Sequence, residues 1–199
     1  MSLYQRRNRF EGLSERIGMS FSRLGLSPNH WTILTLALAL VVFYFLVQEA
    51  FLLAAFSLLV AGFIDLVDGS VARYTGKVSM RGAYLDTIVD RYVEGIVAFG
   101  LLFASLPGFL IPAYGWVFLY FFGALMTTYA KASAKEKGLG EIKGGLLERA
   151  ERILVLFLGI VLAIFEPAYL TYAVVLLAVL SNVSALQRIG KGLRAPLGG

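Results

Sequence analysis

The amino-acid sequence predicts an all-α integral membrane protein with six transmembrane helices, an N-terminal amphipathic interfacial helix and both termini in the cytoplasm. Hydrophobic residues make up 58% of the 199 residues, and the mean hydropathy is +0.76. Soluble domains are typically ~45–50% apolar. Six segments approach the ~20 apolar residues that cross a bilayer. The lysines and arginines are confined to the two termini, to alternate connections between these segments and to the span ends beside them, which is the pattern of a multi-span membrane protein.

The predicted spans are separated by short or polar connections. In chain order they are Trp31–Val47, Phe51–Val67, Tyr84–Ser105, Phe109–Ala130, Leu146–Ile164 and Tyr169–Leu186. All 18 basic residues lie in Met1–His30, Asp68–Arg91, Lys131–Arg152 and Arg188–Arg194. The opposite connections carry only two charges, those of Glu49 and Glu166. The positive-inside rule therefore places both termini and the two long loops in the cytoplasm.

The residues before the first span, 1–26, are predicted to form a helix in the lipid interface, ahead of a membrane domain over residues 27–199. At 3.6 residues per turn, one stripe of this leader carries Phe10, Leu13, Ile17, Phe21 and Leu24. Arginines occupy other positions, a combination that is typical of interfacial helices. Gly18 and Gly25 weaken the helix prediction. The alternative is a basic flank that only fixes the orientation of the protein.

The composition argues against two kinds of site. The chain has no cysteine, so it has neither disulfides nor thiolate metal ligands. Its net charge of +5 would suit a nucleic-acid-binding protein. In a chain this apolar, a charged membrane face explains that charge better, and no nucleic-acid partner is predicted.

Four aspartates lie where the second and third spans meet the loop between them: Asp65, Asp68, Asp86 and Asp90. Their spacing puts each pair on one face of its helix. Ionisable groups at membrane depth cost several kcal/mol and are usually functional. Their mutual repulsion requires a cation, and oxygen ligands suit Mg²⁺, or Mn²⁺ in its place, which often bridges protein and substrate phosphates. The alternative is a set of helix-end charges solvated at the interface.

A divalent-cation transporter is the alternative from another functional class, since acidic rings in membranes also conduct cations. It would need carboxylates near the bilayer centre and access from both sides. Here the four carboxylates are predicted on one side, and Asp65 and Asp68 adjoin a cytoplasmic loop. The sequence therefore favours an enzyme that handles phosphate groups at the membrane surface.

The aspartates belong to a longer motif, D-x2-D-G-x2-A-R-x8-G-x3-D-x3-D, which runs from Asp65 to Asp90. It resembles the signature of the CDP-alcohol phosphotransferase family, and every fixed position matches. The resemblance implies a homodimeric membrane enzyme that moves a phosphatidyl-type group, diacyl or diether, from a CDP-linked lipid to an alcohol and releases CMP. It also implies that the four aspartates bind two Mg²⁺ ions and that Asp90 is the general base on the acceptor hydroxyl.

The same resemblance implies the nucleotide contacts. Gly69 and Ala72 lack bulk where a nucleotide could approach the helix, and Arg73 is suited to bidentate phosphate binding. His30, the single histidine, is expected to cap the first span or face the interface rather than bind metal. The positions that resemble the family's CDP-lipid site are Pro28, Asn29, His30, Trp31, Asp65, Gly69, Ala72, Arg73, Ser79 and Gly82.

Four basic residues at the cytoplasmic ends of the later spans bear on the acceptor: Lys131, Arg149, Arg152 and Arg188. Cations at that depth fit an acceptor that carries its own phosphate; alternatively, they only anchor helix ends. The run from Glu148 to Arg152 resembles the synthases of phosphatidylinositol phosphate and archaetidylinositol phosphate, which implies inositol phosphate as the acceptor. Glycerol 3-phosphate and serine are the alternatives. Whether Arg149 or Arg152 binds the phosphate stays open, and the other could pair with Glu148 or Glu151.

Overall fold

The computed structural model describes residues 3–140, 142 and 144–195, with side chains from residue 12 onward, and this part of the chain is all-helical. Its helices are α1 (Leu3–Ser22), α2 (Pro28–Val47), α3 (Phe51–Tyr74), α4 (Met80–Leu101), α5 (Ala113–Glu136), α6 (Arg149–Ala163) and α7 (Ala168–Arg194). No strand occurs among the described residues, where Phe109 and Ile111 form an isolated antiparallel bridge. The all-α prediction is confirmed.

The predicted spans each coincide with one of the helices α2–α7, and the predicted leader coincides with α1. Three helices, α2, α3 and α7, are long and apolar enough to cross a membrane. In contrast, α6 has 15 residues, or about 22 Å at 1.5 Å per residue, and α4 carries five charged residues, from Arg81 to Glu94. A bilayer crossing by α4, α5 and α6, the interfacial location of α1 and the cytoplasmic termini stay predictions.

Three helices continue beyond the apolar segments that predicted them. They are α3, α5 and α7, which run to Tyr74, Glu136 and Arg194, past the predicted ends at Val67, Ala130 and Leu186. Charged residues such as lysine and arginine are good helix formers, so backbone hydrogen bonding continues where hydropathy falls. The start of α5 is later than predicted because Pro112 precedes it with an extended backbone (φ −56°, ψ 145°).

The chain divides into two compact units. The first unit comprises Met1–Val42 and Phe56–Val97, and it contains α1 and most of α2, α3 and α4. The second unit comprises Phe43–Ala55 and Ala98–Gly199, and it contains α5, α6 and α7.

The core of the first unit includes an apolar cluster on α2 and α3, formed by Trp31, Ile64, Val67 and Val71. Two residues of the α1 stripe, Ile17 and Phe21, pack against this cluster. The Phe21 ring meets the Trp31 ring edge-on, with centroids 5.5 Å apart. The stripe predicted to face lipid therefore faces protein in part, whereas Leu13 and Leu24 of the same stripe are exposed.

Gly18 allows α1 to approach α3 closely. A β-carbon at this position would lie 2.5 Å from the Ser70 carbonyl oxygen and 2.6 Å from Tyr74 Cβ. Real β-carbons do not approach other non-bonded heavy atoms this closely. The glycine that weakens the helix prediction is thus the residue that permits the helix to pack.

Close packing of small residues also organises the second unit, where α7 packs against both α5 and α6. A β-carbon on Gly123 of α5 would lie 2.7 Å from Asn182 Nδ2, and one on Gly159 of α6 would lie 2.5 Å from Ala173 Cβ. Such glycines let helix backbones approach, as is common in membrane proteins. The Asn182 amide donates to the Leu119 carbonyl at 2.8 Å, which links α7 to α5.

Candidate metal and nucleotide site

The turn between α3 and α4 positions the aspartates. Gly76 has a φ of +66°, a left-handed conformation that ends α3, and the Lys77 N–H donates to the Ala72 carbonyl at 3.0 Å. Ser79 then caps α4, since its hydroxyl accepts the Gly82 N–H at 3.0 Å. This reversal brings the last turns of α3 beside the first turns of α4.

Three of the four aspartates come together at this reversal. Asp65, Asp68 and Asp86 each offer a carboxylate oxygen, and these oxygens all lie within 4.8 Å of one another. Asp68 is buried, and the other two are half-buried. Three carboxylates at this spacing fit a divalent cation such as Mg²⁺ or Mn²⁺, which prefers oxygen ligands and offsets their repulsion.

Asp90 lies one turn further along α4 and is outside this three-residue group. Its Oδ2 is 4.0 Å from Arg91 Nη2, and Arg91 Nη1 donates to Glu94 Oε2 at 2.6 Å. Sequence reasoning did not single out Arg91, although its i,i+3 spacing to Glu94 was a usable signal. The fourth aspartate therefore has a cationic neighbour on its own helix.

A cavity of about 320 Å³ lies beside the aspartates, within the size range of small-molecule pockets. Asp68 and Asp86 of the cluster contribute to its wall. Among the predicted CDP-lipid positions, those that line it are Pro28, Asn29, Gly69, Ala72, Arg73, Ser79 and Gly82. Residues of α2, α3 and α4 thus form one pocket next to the candidate metal ligands.

Two other predicted CDP-lipid positions, His30 and Trp31, are not among the residues that line the cavity. Each of them contacts other residues of the protein. Trp31 is 4% exposed and belongs to the apolar cluster of the first unit. His30 Nδ1 lies 2.9 Å from the Ser27 hydroxyl and accepts the Ser27 N–H at 3.2 Å. His30 therefore interacts with the residue that precedes α2, in keeping with the expected cap.

The Arg73 guanidinium lies against Gly69, one turn earlier on α3. A β-carbon at residue 69 would lie 3.1 Å from Arg73 Nη1 and 3.6 Å from Nη2. Even an alanine side chain would require the guanidinium to shift by a few tenths of an ångström. The glycine of the motif thus makes room for the arginine of the same motif at the cavity wall.

Arg188 of α7 is the best-defined residue of the predicted acceptor group, which lies in the second unit. It is 6% exposed, and its Nη1 donates to the Thr127 carbonyl at 2.9 Å. Its Nη2 donates to both carboxylate oxygens of Glu148 at 2.8 Å. The glutamate that the sequence offered to Arg149 or Arg152 thus pairs with Arg188.

The other members of the basic group differ in exposure. Lys131 is exposed, Arg149 is half-buried, and Arg152 is 2% exposed. Glu151 closes a capping box at the start of α6, since the Glu148 N–H donates to Glu151 Oε2 at 2.8 Å. The second glutamate of the run therefore stabilises a helix end.

A sequence profile of the CDP-alcohol phosphatidyltransferase family matches residues 26–183, which include the whole aspartate motif. The chain belongs to the CDP-alcohol phosphatidyltransferase family. It is therefore a transferase of phospholipid biosynthesis that acts on CDP-linked substrates. The resemblance read from the motif is confirmed, and the apolar helices are those of a membrane protein.

This CDP-alcohol phosphotransferase is similar to named enzymes over most of its length. Archaetidylinositol phosphate synthase of Pyrococcus horikoshii is 33% identical over 175 residues, covering 88% of each chain. Phosphatidylinositol phosphate synthase of Mycobacteroides abscessus is 29% identical, covering 92% of this chain and 84% of that protein.

Solved structures of Mycobacterium tuberculosis phosphatidylinositol phosphate synthase share the fold of this CDP-alcohol phosphotransferase at 27% identity. The complex with manganese and citrate has a TM-score of 0.83 and covers 92% of this chain and 90% of that chain. The form with CDP-DAG bound has a TM-score of 0.82, with coverages of 92% and 94%.

Two hydroxyl residues of the site were missed by sequence reasoning. Thr32 of α2 donates to Asp68 Oδ2 at 2.9 Å, and Ser14 of α1 contacts Arg73 at 2.8 Å. Neither residue type is unusual in a helix, and each partner lies on another helix. No spacing rule could therefore have identified them.

Proposed function

We propose that this enzyme transfers a phosphatidyl-type group, diacyl or diether, from a CDP-linked lipid to inositol phosphate in the presence of Mg²⁺ and releases CMP. The observation that carries this proposal is the group of Asp65, Asp68 and Asp86 beside a cavity lined by Gly69 and Arg73. Carboxylates hold Mg²⁺, and Mg²⁺ in turn binds substrate phosphates. This arrangement suits the pyrophosphate of a nucleotide-linked lipid.

In the proposed reaction, the residues of the chain orient two substrates and move one proton. All four aspartates would hold two Mg²⁺ ions, or Mn²⁺ in their place, which neutralise the pyrophosphate and stabilise the leaving CMP. The acceptor hydroxyl attacks the lipid-side phosphorus, and the bond from that phosphorus to CMP breaks with its electron pair on CMP. Asp90 accepts the hydroxyl proton as general base. Direct attack by the acceptor is proposed rather than a covalent aspartyl intermediate.

The CDP-lipid is proposed to occupy the cavity of the first unit. The proposed contacts are those of the motif and of the start of α2: Pro28, Asn29, His30, Trp31, Asp65, Gly69, Ala72, Arg73, Ser79 and Gly82. The guanidinium of Arg73 would bind a phosphate oxygen, since it presents rigid, charged donors. Support comes from the position of most of these residues on the cavity wall.

The phosphate of the acceptor is proposed to bind Lys131, Arg149, Arg152 and Arg188. An arginine that only anchors a helix end keeps its charged head in water, so the burial of Arg152 and Arg188 favours a specific function over simple anchoring. Glu148 fixes the plane of the Arg188 guanidinium in advance, which would reduce the entropy cost of phosphate binding. The two relatives described above are both named as synthases of inositol phosphate lipids, which supports the same acceptor.

The enzyme is further proposed to be a multi-pass protein of the cell membrane, with its active site on the cytoplasmic face and a homodimeric assembly. All 18 basic residues lie in the termini, in two alternate connections or at the span ends beside them, which supports this orientation. The dimer rests on the family resemblance.

The acceptor assignment can be tested by following CMP release by the purified protein in lipid vesicles. Diacyl and diether CDP-lipids would each be offered with inositol phosphate, glycerol 3-phosphate or serine, in Mg²⁺, Mn²⁺ or excess chelator. We expect CMP release with inositol phosphate that the chelator abolishes. Release with glycerol 3-phosphate or serine but not with inositol phosphate would overturn the acceptor, and no release with any acceptor would overturn the function.

A further inference from the structure

We propose that Ser14 of α1 is a positioning residue for Arg73, so that the N-terminal helix forms part of the CDP-lipid site. The Ser14 hydroxyl accepts hydrogen bonds from Arg73 Nε at 3.3 Å and from Arg73 Nη2 at 2.8 Å. The family profile begins at residue 26, so α1 lies outside the matched region. The inference rests on the proposed function, because it assigns a role relative to the nucleotide pocket.

The available donors determine the direction of each hydrogen bond around Ser14. Arg73 carries only donors, so Ser14 must accept from it. Ser70 donates its one hydroxyl proton to the Leu66 carbonyl at 2.8 Å. The 3.0 Å contact between the two serine hydroxyls therefore has Ser14 as its donor. Each hydroxyl is satisfied, and such chains of hydrogen bonds strengthen one another.

The contact with Ser14 engages Nε and Nη2 of an arginine that lines the cavity. Nη1 takes no part in this contact, and it is the atom that a β-carbon on Gly69, another lining residue, would meet first, at 3.1 Å. Ser70 on α3 reaches Nη2 only at 3.4 Å. Without Ser14, the exposed Arg73 side chain would have to be ordered by the substrate, at a cost in conformational entropy.

The packing of α1 explains why Ser14 lies within hydrogen-bond distance of Arg73. Gly18 follows Ser14 by one helical turn on the same face and permits the close approach to Ser70 and Tyr74. One turn further, Phe21 packs against Trp31. A hydroxyl contact, a backbone approach and an aromatic contact thus follow one another along α1, and all three face the first unit's α2 and α3.

The decisive variant is Ser14→Ala in the full-length enzyme. We expect the KM for the CDP-lipid to rise about 3- to 10-fold, which corresponds to the net contribution of one ordinary hydrogen bond, because Ser14 affects the substrate only through Arg73. The KM for the acceptor and the Mg²⁺ requirement should stay unchanged. Ser14→Thr retains the hydroxyl, so its KM for the CDP-lipid should equal that of the unmodified enzyme. The matched control is Ser20→Ala on the exposed side of the same helix, which should leave all three quantities unchanged.

A double-mutant cycle with Arg73→Lys separates positioning from a general effect of α1. Lysine lacks the paired nitrogens that meet Ser14, so Ser14→Ala should have no further effect on the CDP-lipid KM in that background. Equal kinetics of Ser14→Ala and Ser20→Ala, or an undiminished effect in the Arg73→Lys background, would overturn the positioning role alone. Absence of CMP release by the unmodified enzyme would overturn the proposed function and this inference with it.

Discussion

The Thr32 hydroxyl on α2 donates a 2.9 Å hydrogen bond to Oδ2 of Asp68 on α3, and both residues are buried. This bond orients the most buried carboxylate of the aspartate cluster. It also makes α2 part of the candidate metal site, although the acidic ligands lie on α3 and α4. Partners that hold a metal-ligating carboxylate usually matter nearly as much as the ligand itself.

Replacement of Thr32 by valine should therefore weaken metal binding. Valine keeps the shape of the side chain but removes the hydroxyl, so Asp68 loses its orientation. We expect the Mg²⁺ concentration for half-maximal CMP release to rise by about 10- to 100-fold. Titration of activity with Mg²⁺ measures this directly.

Two variants serve as controls for the threonine. Thr35→Val removes a buried hydroxyl from the same helix, but that hydroxyl bonds only to the Trp31 carbonyl of α2 itself at 3.2 Å. Thr32→Ser keeps the donor. A shift in Mg²⁺ requirement that is equal in Thr35→Val, or present in Thr32→Ser, would contradict a specific role of the Thr32–Asp68 bond.

Replacement of Asp90 should have a different kinetic effect from replacement of an aspartate of the three-residue group. If it is the general base, Asp90→Asn should lower kcat by about 10²- to 10⁴-fold at saturating Mg²⁺, with CDP-lipid binding partly retained. Asp86→Asn should instead raise the Mg²⁺ requirement, because Asp86 belongs to the three-carboxylate group. Turnover retained by Asp90→Asn would exclude it as the base.

Replacement of Arg188 should change the KM for the acceptor and not the KM for the CDP-lipid. Its replacement by glutamine should raise the acceptor KM by about 10- to 100-fold, since hydrogen bonds to charged groups are worth about 1.5–3 kcal/mol. The KM for the CDP-lipid should not change. Arg194→Gln, at the exposed end of the same helix, is the matched control. An unchanged acceptor KM in Arg188→Gln would argue that the Arg188–Glu148 pair is purely structural.

Gly159 should be a stability determinant of the second unit. An alanine there would bring its β-carbon within 2.5 Å of Ala173 Cβ, and overpacking of this kind costs about 1–3 kcal/mol. We expect Gly159→Ala to lower the Tm of the detergent-solubilised protein. Gly190→Ala in α7 meets no atom within 4 Å and should hold or raise the Tm, because alanine favours helix. A similar loss in both variants would refute the packing argument.

Glu49, in the turn between α2 and α3, should make stability depend on pH. Hydrogen bonding by the Ser105 side chain, and then by its backbone N–H at 2.9 Å, holds the pKa of Glu49 below its usual value. A carboxyl whose pKa is lowered by folding stabilises the protein above its unfolded-state pKa, and this contribution disappears as the pH falls through the folded-state pKa. We expect Glu49→Gln to lower the Tm slightly at about pH 7 but not at about pH 3. A Tm difference independent of pH would contradict the assignment.

Much of the fold and of the candidate site could be predicted because it depends on local spacing. Apolar runs predicted the helices α2–α7, since burial of apolar side chains needs no knowledge of their partners. The spacing of Asp65 to Asp68, and of Asp86 to Asp90, predicted a shared face for each pair. One short turn suffices to bring the two helices together, although Asp90 lies outside the three-residue group. Helix ends were less predictable, because α5 and α7 continue through charged residues that hydropathy excludes.

The sequence by itself thus determined the all-helical fold, the candidate metal ligands and the family, all of which follow from residue type at fixed intervals. Only the tertiary structure decided which side chains hold the functional groups. Thr32 and Asp68 are 36 residues apart, Glu148 and Arg188 are 40 apart, and Ser14 and Arg73 are 59 apart. The physical reason is that a hydrogen bond forms only between atoms within about 3 Å of each other. Helix packing, through contacts such as that of Gly18 with α3, sets these distances. The sequences of the two packed segments carry no common signal that would predict them.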